Sequence, residues 1–343
     1  MANPNKHIAS VVASIRKKYG ADVAGTLSAG GRSKVSEVIS SGVDVLDRYV
    51  LGCGGWPITR ISEVYSEEGG GKTSLLYAAL ASVQREGGVG VLAETEQGLN
   101  EERAAEFGVN VDDLILLEPP TIEKCTGMIA DTIEGLSKAG VPVLVGWDSL
   151  AATESEQEYE AGAGNDDRMG VRGKAMGRAM RALAPIVSKS RAHLMVINQT
   201  REKMGIVFGD KSTTPGGKAV KFAASHRVQL LGGKAVKTGT EHIGKIVTIM
   251  GTKNRFAPPY RKARVRLLYS GSWDNDWSTM EFAKTAGLMA REEIPFYAQD
   301  PDGFMEEIKR RIEKRGWILA DTPKAAPGDD DDAPEDAAEE DGE

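Results

Sequence analysis

Two observations predict an α/β domain with a mainly parallel central sheet. Strand-like apolar runs alternate with helical stretches, which is typical of parallel strands joined by crossover helices. The first run leads into a glycine-rich turn and then a helix, within residues 61–74. That order is typical of a phosphate-binding loop, because turn N–H groups and the helix N-terminus attract anions. The six runs are 61–65, 90–94, 114–117, 141–147, 192–197 and 226–231.

Helices are predicted between these strands from the spacing of apolar residues. They cover 73–86, 101–107, 122–139 and 172–190. Two later runs, 246–250 and 263–269, are predicted as antiparallel strands added at the edge of the sheet. A short charged helix at 304–315 is predicted within a small C-terminal α+β appendage.

The two ends of the chain differ in composition from the predicted core. Residues 5–19 place Ile8, Val11, Val12 and Ile15 on one face of an amphipathic helix, before a Gly/Ser-rich linker. Residues 328–343 carry ten acidic side chains and no basic one, which predicts a disordered tail. That tail accounts for the whole net charge of −7, so the rest of the chain is mildly basic. The tail is either a solubilising extension or a polyanion that competes with nucleic acid.

Composition argues against several classes of protein. No apolar run approaches the ~20 residues of a membrane span, and the N-terminus has no apolar signal core. We therefore expect a cytosolic protein. The cysteines, Cys53 and Cys125, are far apart and are expected to be buried thiols rather than metal ligands. The four histidines show neither zinc nor catalytic-triad spacing.

The glycine-rich turn has the residue types that bind a nucleoside triphosphate. Lys72 can reach the β- and γ-phosphates, and the Thr73 hydroxyl can hold Mg²⁺. Ser66 departs from the usual pattern, which begins with glycine, although three consecutive glycines precede Lys72. The predicted ATP-binding loop comprises Ser66, Glu67, Glu68, Gly69, Gly70, Gly71, Lys72, Thr73 and Ser74.

Acidic residues at the ends of two other strands complete the predicted site. Asp148 follows the run 141–147, where ligands of open α/β sheets bind, and would orient the water shell of Mg²⁺. Glu94 and Glu96 end the run 90–94, which we expect to neighbour the strand before the phosphate loop. Glu96 is the predicted base for the attacking water. The alternatives are an ordinary helix cap for Asp148 and a solvated loop charge for Glu96.

Two long segments, 155–172 and 201–217, lie between core elements and lack strong periodicity. They hold glycines, amides, hydroxyls and a few bases, which suit contacts with a phosphodiester backbone. The adjacent Gly216 and Gly217 allow close approach of a ligand to the backbone. The alternative for the second segment is a mobile surface loop.

Several distinctive motifs occur in order between about residues 6 and 269. They include LGCGGWP at 51–57, INQTR at 197–201 and MGIVFG at 204–209. The most specific are TTPGGKAVKFAAS at 213–225 and KNRFAPPY at 253–260. Together these motifs resemble those of the RecA family of DNA recombinases. The resemblance implies a RecA-like P-loop ATPase core that uses ATP and Mg²⁺.

The resemblance also implies how the chain is divided. Residues 1–34 would form an N-terminal oligomerisation helix and linker, and 35–270 the core that binds ATP and DNA. Residues 271–320 would form the small C-terminal domain, and 321–343 the disordered acidic tail. The C-terminal region is shorter than that of bacterial RecA, which suggests a phage-encoded or otherwise distant member.

By this resemblance, Glu96 activates water and Gln199 senses the γ-phosphate. Lys253 and Arg255 would reach the ATP of a neighbouring subunit, and Lys221 and Phe222 would lie in the same interface. Single-stranded DNA would be held by residues of the two long segments and the helix between them. These are Arg168, Met169, Arg172, Lys174, Gly177, Arg178, Arg181, Arg201, Met204, Phe208, Gly216, Gly217 and Lys218.

Two further positions depart from the family pattern. Glu94 stands where bacterial RecA usually has aspartate. Arg103 stands where it usually has a tyrosine that stacks on adenine, and a guanidinium can also stack.

The implied function is ATP-dependent homologous recombination. The protein would form helical filaments on single-stranded DNA, pair that strand with homologous double-stranded DNA and exchange strands. Single-strand-binding and loader proteins are the expected partner proteins, and no association with a membrane is expected. A ring-forming motor such as a helicase is one alternative, although the N-terminal helix and Gly216–Gly217 argue against it. A non-catalytic DNA-binding paralogue is another; Glu96 and Gln199 argue against it, and Ser66 leaves it open.

Overall fold

The structure, a computed structural model, describes residues 4–20, 23–26, 35–161, 170–202 and 212–317 of the 343-residue chain. The chain divides into two compact units between Ser278 and Thr279. The predicted acidic tail and most of the predicted linker lie outside the described residues. No helix in the described part combines the length and apolar composition needed to cross a membrane.

One large sheet organises the first unit. The strands of the chain are β1 (Val38–Ile39), β2 (Trp56–Pro57), β3 (Ile61–Ser66), β4 (Val89–Glu94), β5 (Ile115–Leu117), β6 (Val143–Asp148), β7 (Ala192–Gln199), β8 (Arg201–Glu202), β9 (Ser212–Thr213), β10 (His226–Leu231), β11 (Ala235–Thr238), β12 (Glu241–Asn254), β13 (Lys262–Leu268) and β14 (Ser272–Asp274). The strand order of the large sheet is β14-β13-β12-β10-β3-β7-β6-β4-β5, and β11 pairs with β12. The pairs β1–β2 and β8–β9 form separate two-stranded ribbons.

The helices lie between the strands, as the alternating pattern predicts. They are α1 (Pro4–Tyr19), α2 (Lys72–Arg85), α3 (Glu101–Glu106), α4 (Ile122–Ser137), α5 (Glu156–Ala161), α6 (Val171–Lys189), α7 (Gly217–Ala223), α8 (Asn275–Thr285), α9 (Ile294–Gln299) and α10 (Pro301–Arg315). The apolar face of α1 is exposed, with Ile8 at 46% and Val11 at 57% of their full accessible area.

The predicted α/β architecture is confirmed. Six neighbouring strands, from β10 to β5, are parallel, and β12 to β14 add antiparallel pairs at one edge. The prediction that β4 lies next to β3 is wrong, because β7 and β6 lie between these two strands. Strand order depends on how crossover helices return to the sheet, and apolar periodicity does not report that.

The second unit differs from the predicted α+β appendage. Its described residues, 279–317, hold helices and turns and no strand. The short strand β14 pairs with β13 in the large sheet, so it belongs to the first unit. This pairing also extends the first unit beyond residue 270, where the sequence places the end of the core.

Side chains of β6 point alternately to the two faces of the sheet, and both faces are covered by helices. Val143, Val145 and Trp147 join the apolar cluster that α4 and α6 cover. The opposite face approaches α2 so closely that a Cβ on Gly146 would lie 2.6 Å from a methyl carbon of Leu76. Asp148 follows Gly146 by two residues, so the period of a strand directs its side chain to the α2 side.

Two histidines are buried beside Trp56, where β7 and β10 begin. The ring of His193 lies 5.7 Å from that of Trp56, and the ring of His226 lies 6.5 Å from it. Nδ1 of His193 lies 2.8 Å from the Pro57 carbonyl, so this nitrogen carries the proton and donates it. Burial lowers the pKa of His193 to about 3 and that of His226 to about 4.

These histidines make stability depend on pH. Their folded-state pKa values lie below the unfolded value, so the unfolded chain binds more protons below about pH 6.5. Their contribution is fully present above that pH and is lost as the pH falls towards 4. We expect the loss in unfolding free energy between pH 7.5 and 5.0 to be roughly 2 kcal/mol smaller in His193→Gln than in wild type. Urea unfolding at both pH values measures this difference.

The matched control is His242→Gln, because His242 is exposed. Burial raises the pKa of Asp47 to about 7, which gives that carboxyl the opposite pH dependence. The variant is therefore compared with wild type at each pH. An equal pH dependence in wild type and His193→Gln would contradict the buried neutral histidine.

Candidate functional site

A cavity of about 320 Å³ opens where β3, β6 and β7 end and α2 begins. It contains most of the ATP-site residues that the sequence predicts, and three that it does not. Its lining residues are Glu68, Gly69, Gly70, Gly71, Lys72, Thr73, Ser74, Glu96, Arg103, Asp148, Gln199, Lys245, Leu267 and Tyr269.

The phosphate loop runs from the last residue of β3, Ser66, to the first of α2, Lys72. Gly69 and Gly71 have φ values of 68° and 96°, a left-handed conformation that favours glycine. No acidic side chain occupies the first turn of α2, and no side chain caps its N-terminus. The helix therefore presents its free N–H groups and positive dipole end to the cavity.

Ser66 and Gly70 fit each other inside this loop. The Ser66 hydroxyl donates to the Glu67 carbonyl at 2.6 Å and accepts from the Lys72 ammonium at 3.2 Å. A Cβ on residue 70 would lie 2.0 Å from that hydroxyl oxygen. The serine at the first loop position thus uses space that any side chain at position 70 would need.

Lys72 is almost fully buried against its own loop. Its ammonium also donates to the Glu67 carbonyl at 2.8 Å. Burial lowers the pKa of Lys72, and the nearby carboxylates of Asp148 and Glu96 act in the opposite direction. A phosphate would supply the full negative partner that the neutral carbonyl does not.

Thr73 and Asp148 lie together, as the sequence predicts. The Thr73 hydroxyl donates to Oδ2 of Asp148 at 2.7 Å, which joins α2 to the end of β6. Burial raises the pKa of Asp148 to about 6, so a nearby cation would stabilise its charged form. One hydroxyl and one carboxylate suit Mg²⁺, which usually keeps waters and phosphate oxygens as its other ligands. The described residues contain no group of three or more His, Cys, Asp or Glu side chains placed to hold a metal ion.

The two glutamates at the C-terminal end of β4, Glu94 and Glu96, have different surroundings. Glu94 accepts hydrogen bonds from the backbone N–H groups of Glu96 and Gly98, at 3.0 and 3.1 Å, and so shapes the turn. Glu96 lines the cavity, and its carboxylate accepts from the Ser149 hydroxyl and, at 3.2 Å, from the amide of Gln199. Of the two glutamates, Glu96 is thus the one whose side chain lines the cavity.

Gln199 ends β7 directly beside Ser66 in the β3–β7 register. The preceding residue, Asn198, is buried and connects two parts of the molecule. Its amide donates to Glu63 on β3 and to the Pro215 carbonyl, each at 3.0 Å. The end of the second long segment is therefore tied to the strand that carries Gln199.

The far end of the cavity contains Arg103 and Tyr269. Arg103 donates to the Tyr269 carbonyl and to Glu106, both at 2.6 Å, and its guanidinium lies 4.7 Å from the centre of the Phe107 ring. Tyr269 is 46% exposed. The sequence predicts Arg103 but not Tyr269, Leu267 or Lys245, because β12 and β13 reach the cavity only through sheet pairing.

The predicted DNA-binding residues have different environments. Lys174, Arg178, Arg181 and Lys218 are exposed. Arg172 donates to the Ala151 carbonyl at 3.0 Å and pairs with Glu158 at 3.4 Å. Their DNA-binding role stays a prediction.

The glycines among the predicted DNA-binding residues lie where backbone conformation or helix packing favours a residue without a side chain. Gly177 is buried in α6, and its added Cβ would lie 3.8 Å from Ala219 of α7. Gly216 and Gly217 both have positive φ at the start of α7. Arg201 lies in β8 and pairs with Thr213 of β9 in the ladder between these two strands. Arg168, Met169, Met204 and Phe208 lie outside the described residues.

The predicted interface residues meet at the end of α7. Phe222 is 70% exposed. Lys253 donates to the Lys221 carbonyl at 2.5 Å, and Arg255 donates to the Phe222 carbonyl at 3.1 Å. Neither cation lines the cavity around this chain's own phosphate loop. Their role in a neighbouring subunit's site stays a prediction.

Comparison with known proteins identifies the family to which the fold belongs. The RecA N-terminal domain model matches residues 6–273. "Protein RecA" of Lactococcus lactis subsp. cremoris is 33% identical over 344 residues, covering 94% of this chain and 87% of the relative. "Protein RecA" of Halalkalibacterium halodurans is 33% identical over 312 residues, covering 91% and 86%. The chain belongs to the RecA family of recombinases.

The contact between Ser66 and position 70 leads to a prediction. We expect Gly70→Ala to weaken ATP binding roughly tenfold, because overpacking typically costs about 1–3 kcal/mol. The double variant with Ser66→Gly should recover most of this loss, because the conflicting hydroxyl is gone. Calorimetric titration with ATP measures the affinity of all four forms.

Gly127→Ala provides the matched control, since an added Cβ there meets nothing within 4 Å. Equal losses in Gly70→Ala and in the double variant would contradict the proposed fit between the two positions.

Proposed function

We propose that this chain is an ATP-hydrolysing recombinase that polymerises on single-stranded DNA. One observation carries the ATPase assignment. Lys72, Thr73, Asp148, Glu96 and Gln199 come from four separate parts of the chain and line one cavity beside a glycine-rich loop.

Hydrolysis needs a base that is within reach of the attacking water. The Glu96 carboxylate would accept the water's proton, while the Ser149 hydroxyl and the Gln199 amide hold that carboxylate in position. Lys72 and the N–H groups of the loop would bind the phosphates and stabilise the negative charge that develops during transfer. Mg²⁺ held by Thr73 and Asp148 would neutralise part of the phosphate charge.

The same cavity supports communication with DNA. Gln199 contacts the proposed base, and Asn198 hydrogen-bonds to the Pro215 carbonyl at the end of the second long segment. A γ-phosphate that attracts the Gln199 amide would pull on this connected strand end. We propose that DNA affinity therefore depends on whether ATP is intact.

Assembly would supply the missing cations. Lys253 and Arg255 lie beside Phe222, away from this chain's own cavity. If they contact the ATP of the next subunit, transition-state charge is stabilised only when subunits stack. Repetition of such a head-to-tail contact without closure produces a helical filament.

Such a filament would hold DNA by its backbone through Lys174, Arg178, Arg181 and Lys218. Phosphate contacts leave the base edges free, so Watson–Crick pairing with homologous double-stranded DNA tests the sequence. Single-strand-binding and loader proteins would assist in the cytoplasm of a bacterial or phage-infected cell.

The proposed base is tested with Glu96→Gln. We expect the DNA-dependent ATPase rate to fall at least 100-fold, because general base catalysis typically contributes 10²–10⁴-fold. ATP affinity should change little, since glutamine keeps the size of the side chain and one oxygen that can accept the hydrogen bonds from Ser149 and Gln199. Phosphate release and equilibrium binding are measured on the same preparation.

Glu101→Gln, at an exposed position in the first turn of α3, is the matched control. An ATPase rate for Glu96→Gln equal to that of wild type would remove Glu96 from the mechanism and favour a different base.

Filament formation is tested by electron microscopy with single-stranded DNA, Mg²⁺ and a slowly hydrolysed ATP analogue. Wild type should coat the DNA as continuous helical filaments. Phe222→Ala should shorten or abolish them, because it removes an aromatic side chain that is exposed in the single chain.

The control is Phe296→Ala, which removes a phenylalanine that is 56% exposed in the second unit. Closed rings formed by wild type would indicate a ring-forming motor, and particles that never polymerise would indicate a non-catalytic paralogue.

A further inference from the structure

Lys245 is a cation at the phosphate loop that the sequence does not predict. It lies on β12 opposite Leu267 of β13, and both side chains line the nucleotide cavity. Directly opposed residues of an antiparallel pair project from the same face of the sheet, which explains why the two occur together. The Lys245 ammonium donates to the carbonyl oxygen of Gly69 in the loop.

The Lys245 ammonium forms no ion pair among the described residues. No carboxylate of those residues lies within 4.0 Å of it. Three acidic side chains line the same cavity. Asp148 bonds to Thr73 and Glu96 to Gln199, and Glu68 is not paired with Lys245. Burial lowers the pKa of Lys245, which shows that its charge is incompletely solvated.

Lys245 and Lys72 line the same cavity. The charge of Lys245 acts to lower the pKa of Lys72, so the two ammonium groups repel each other across the loop. Around Gly69 the cavity is open, because an added Cβ there would meet nothing within 4 Å. The flexible stem of a lysine lets its ammonium leave a carbonyl for an anion nearby.

We propose that Lys245 is a second phosphate-binding cation of this chain's own nucleotide site, acting with Lys72 on the phosphate chain of ATP. The inference rests on the proposed function, because it requires that a nucleoside triphosphate occupies this cavity. It assigns a positioning role to a residue outside the glycine-rich motif. The phosphates would then be held from both sides, by α2 and by the antiparallel edge of the sheet.

The test compares ATP dissociation constants of full-length wild type, Lys245→Gln, Lys245→Arg and Lys237→Gln by calorimetric titration. Lys237→Gln is the matched control, because it removes the same charge from an exposed position on the neighbouring strand β11. We expect Lys245→Gln to bind ATP roughly tenfold more weakly, since charge-assisted hydrogen bonds are the strong ones. Lys245→Arg should stay within about threefold of wild type, and Lys237→Gln should be unchanged.

Ionic strength separates a charge effect from loss of loop structure. The difference between wild type and Lys245→Gln should shrink as salt rises, because screening weakens the attraction. Thermal unfolding without nucleotide checks that each variant is folded. Wild-type affinity in Lys245→Gln would overturn the inference, as would equal weakening in Lys245→Gln and Lys245→Arg.

Failure of the proposed function has a different signature. If wild type itself does not bind ATP, the inference is overturned together with the ATPase assignment. If wild type and Lys237→Gln bind ATP and Lys245→Gln binds equally well, only the role of Lys245 is overturned.

Discussion

The parallel pairing of β3, β7, β6 and β4 is the constraint on which the rest of this structure depends. Parallel strands end at the same edge of a sheet, so residues distant in sequence converge there. Ser66 and Gln199 are neighbours across β3 and β7, and Glu94 opposes Asp148 across β4 and β6. The glycine-rich loop, Thr73, Asp148 and Glu96 therefore line one cavity.

The loop itself illustrates how a departure from a motif can be accommodated locally. A serine replaces the first glycine of the usual pattern, and its hydroxyl occupies the space beside residue 70. The glycine at that position removes the conflict, and the hydroxyl becomes an acceptor for Lys72. Because the loop is closely packed, the side chain tolerated at either of these positions depends on the residue at the other.

Much of the fold and of the ATP site could be predicted from the sequence. Strand and helix periodicity, the glycine-rich turn and the acidic residue that ends β6 are local signals, so they can be recognised from the sequence alone. Three features did not follow from local signals. They are the position of β4, the helical character of residues 279–317, and the arrival of Lys245 and Tyr269 at the cavity. Each depends on which distant segments pair, and that is decided by the packing of the whole chain.

The sequence by itself determined the class of fold, the phosphate loop and the family, because these follow from residue types at short spacing. Tertiary structure decided which of the two neighbouring glutamates, Glu94 or Glu96, lines the cavity. Hydrogen bonds to the turn hold Glu94 away from the cavity, whereas Ser149 and Gln199 hold Glu96 within it. The physical reason is that two glutamates so close in sequence carry the same local signal. Their hydrogen-bond partners, which come from the folded chain, determine which of them lines the cavity.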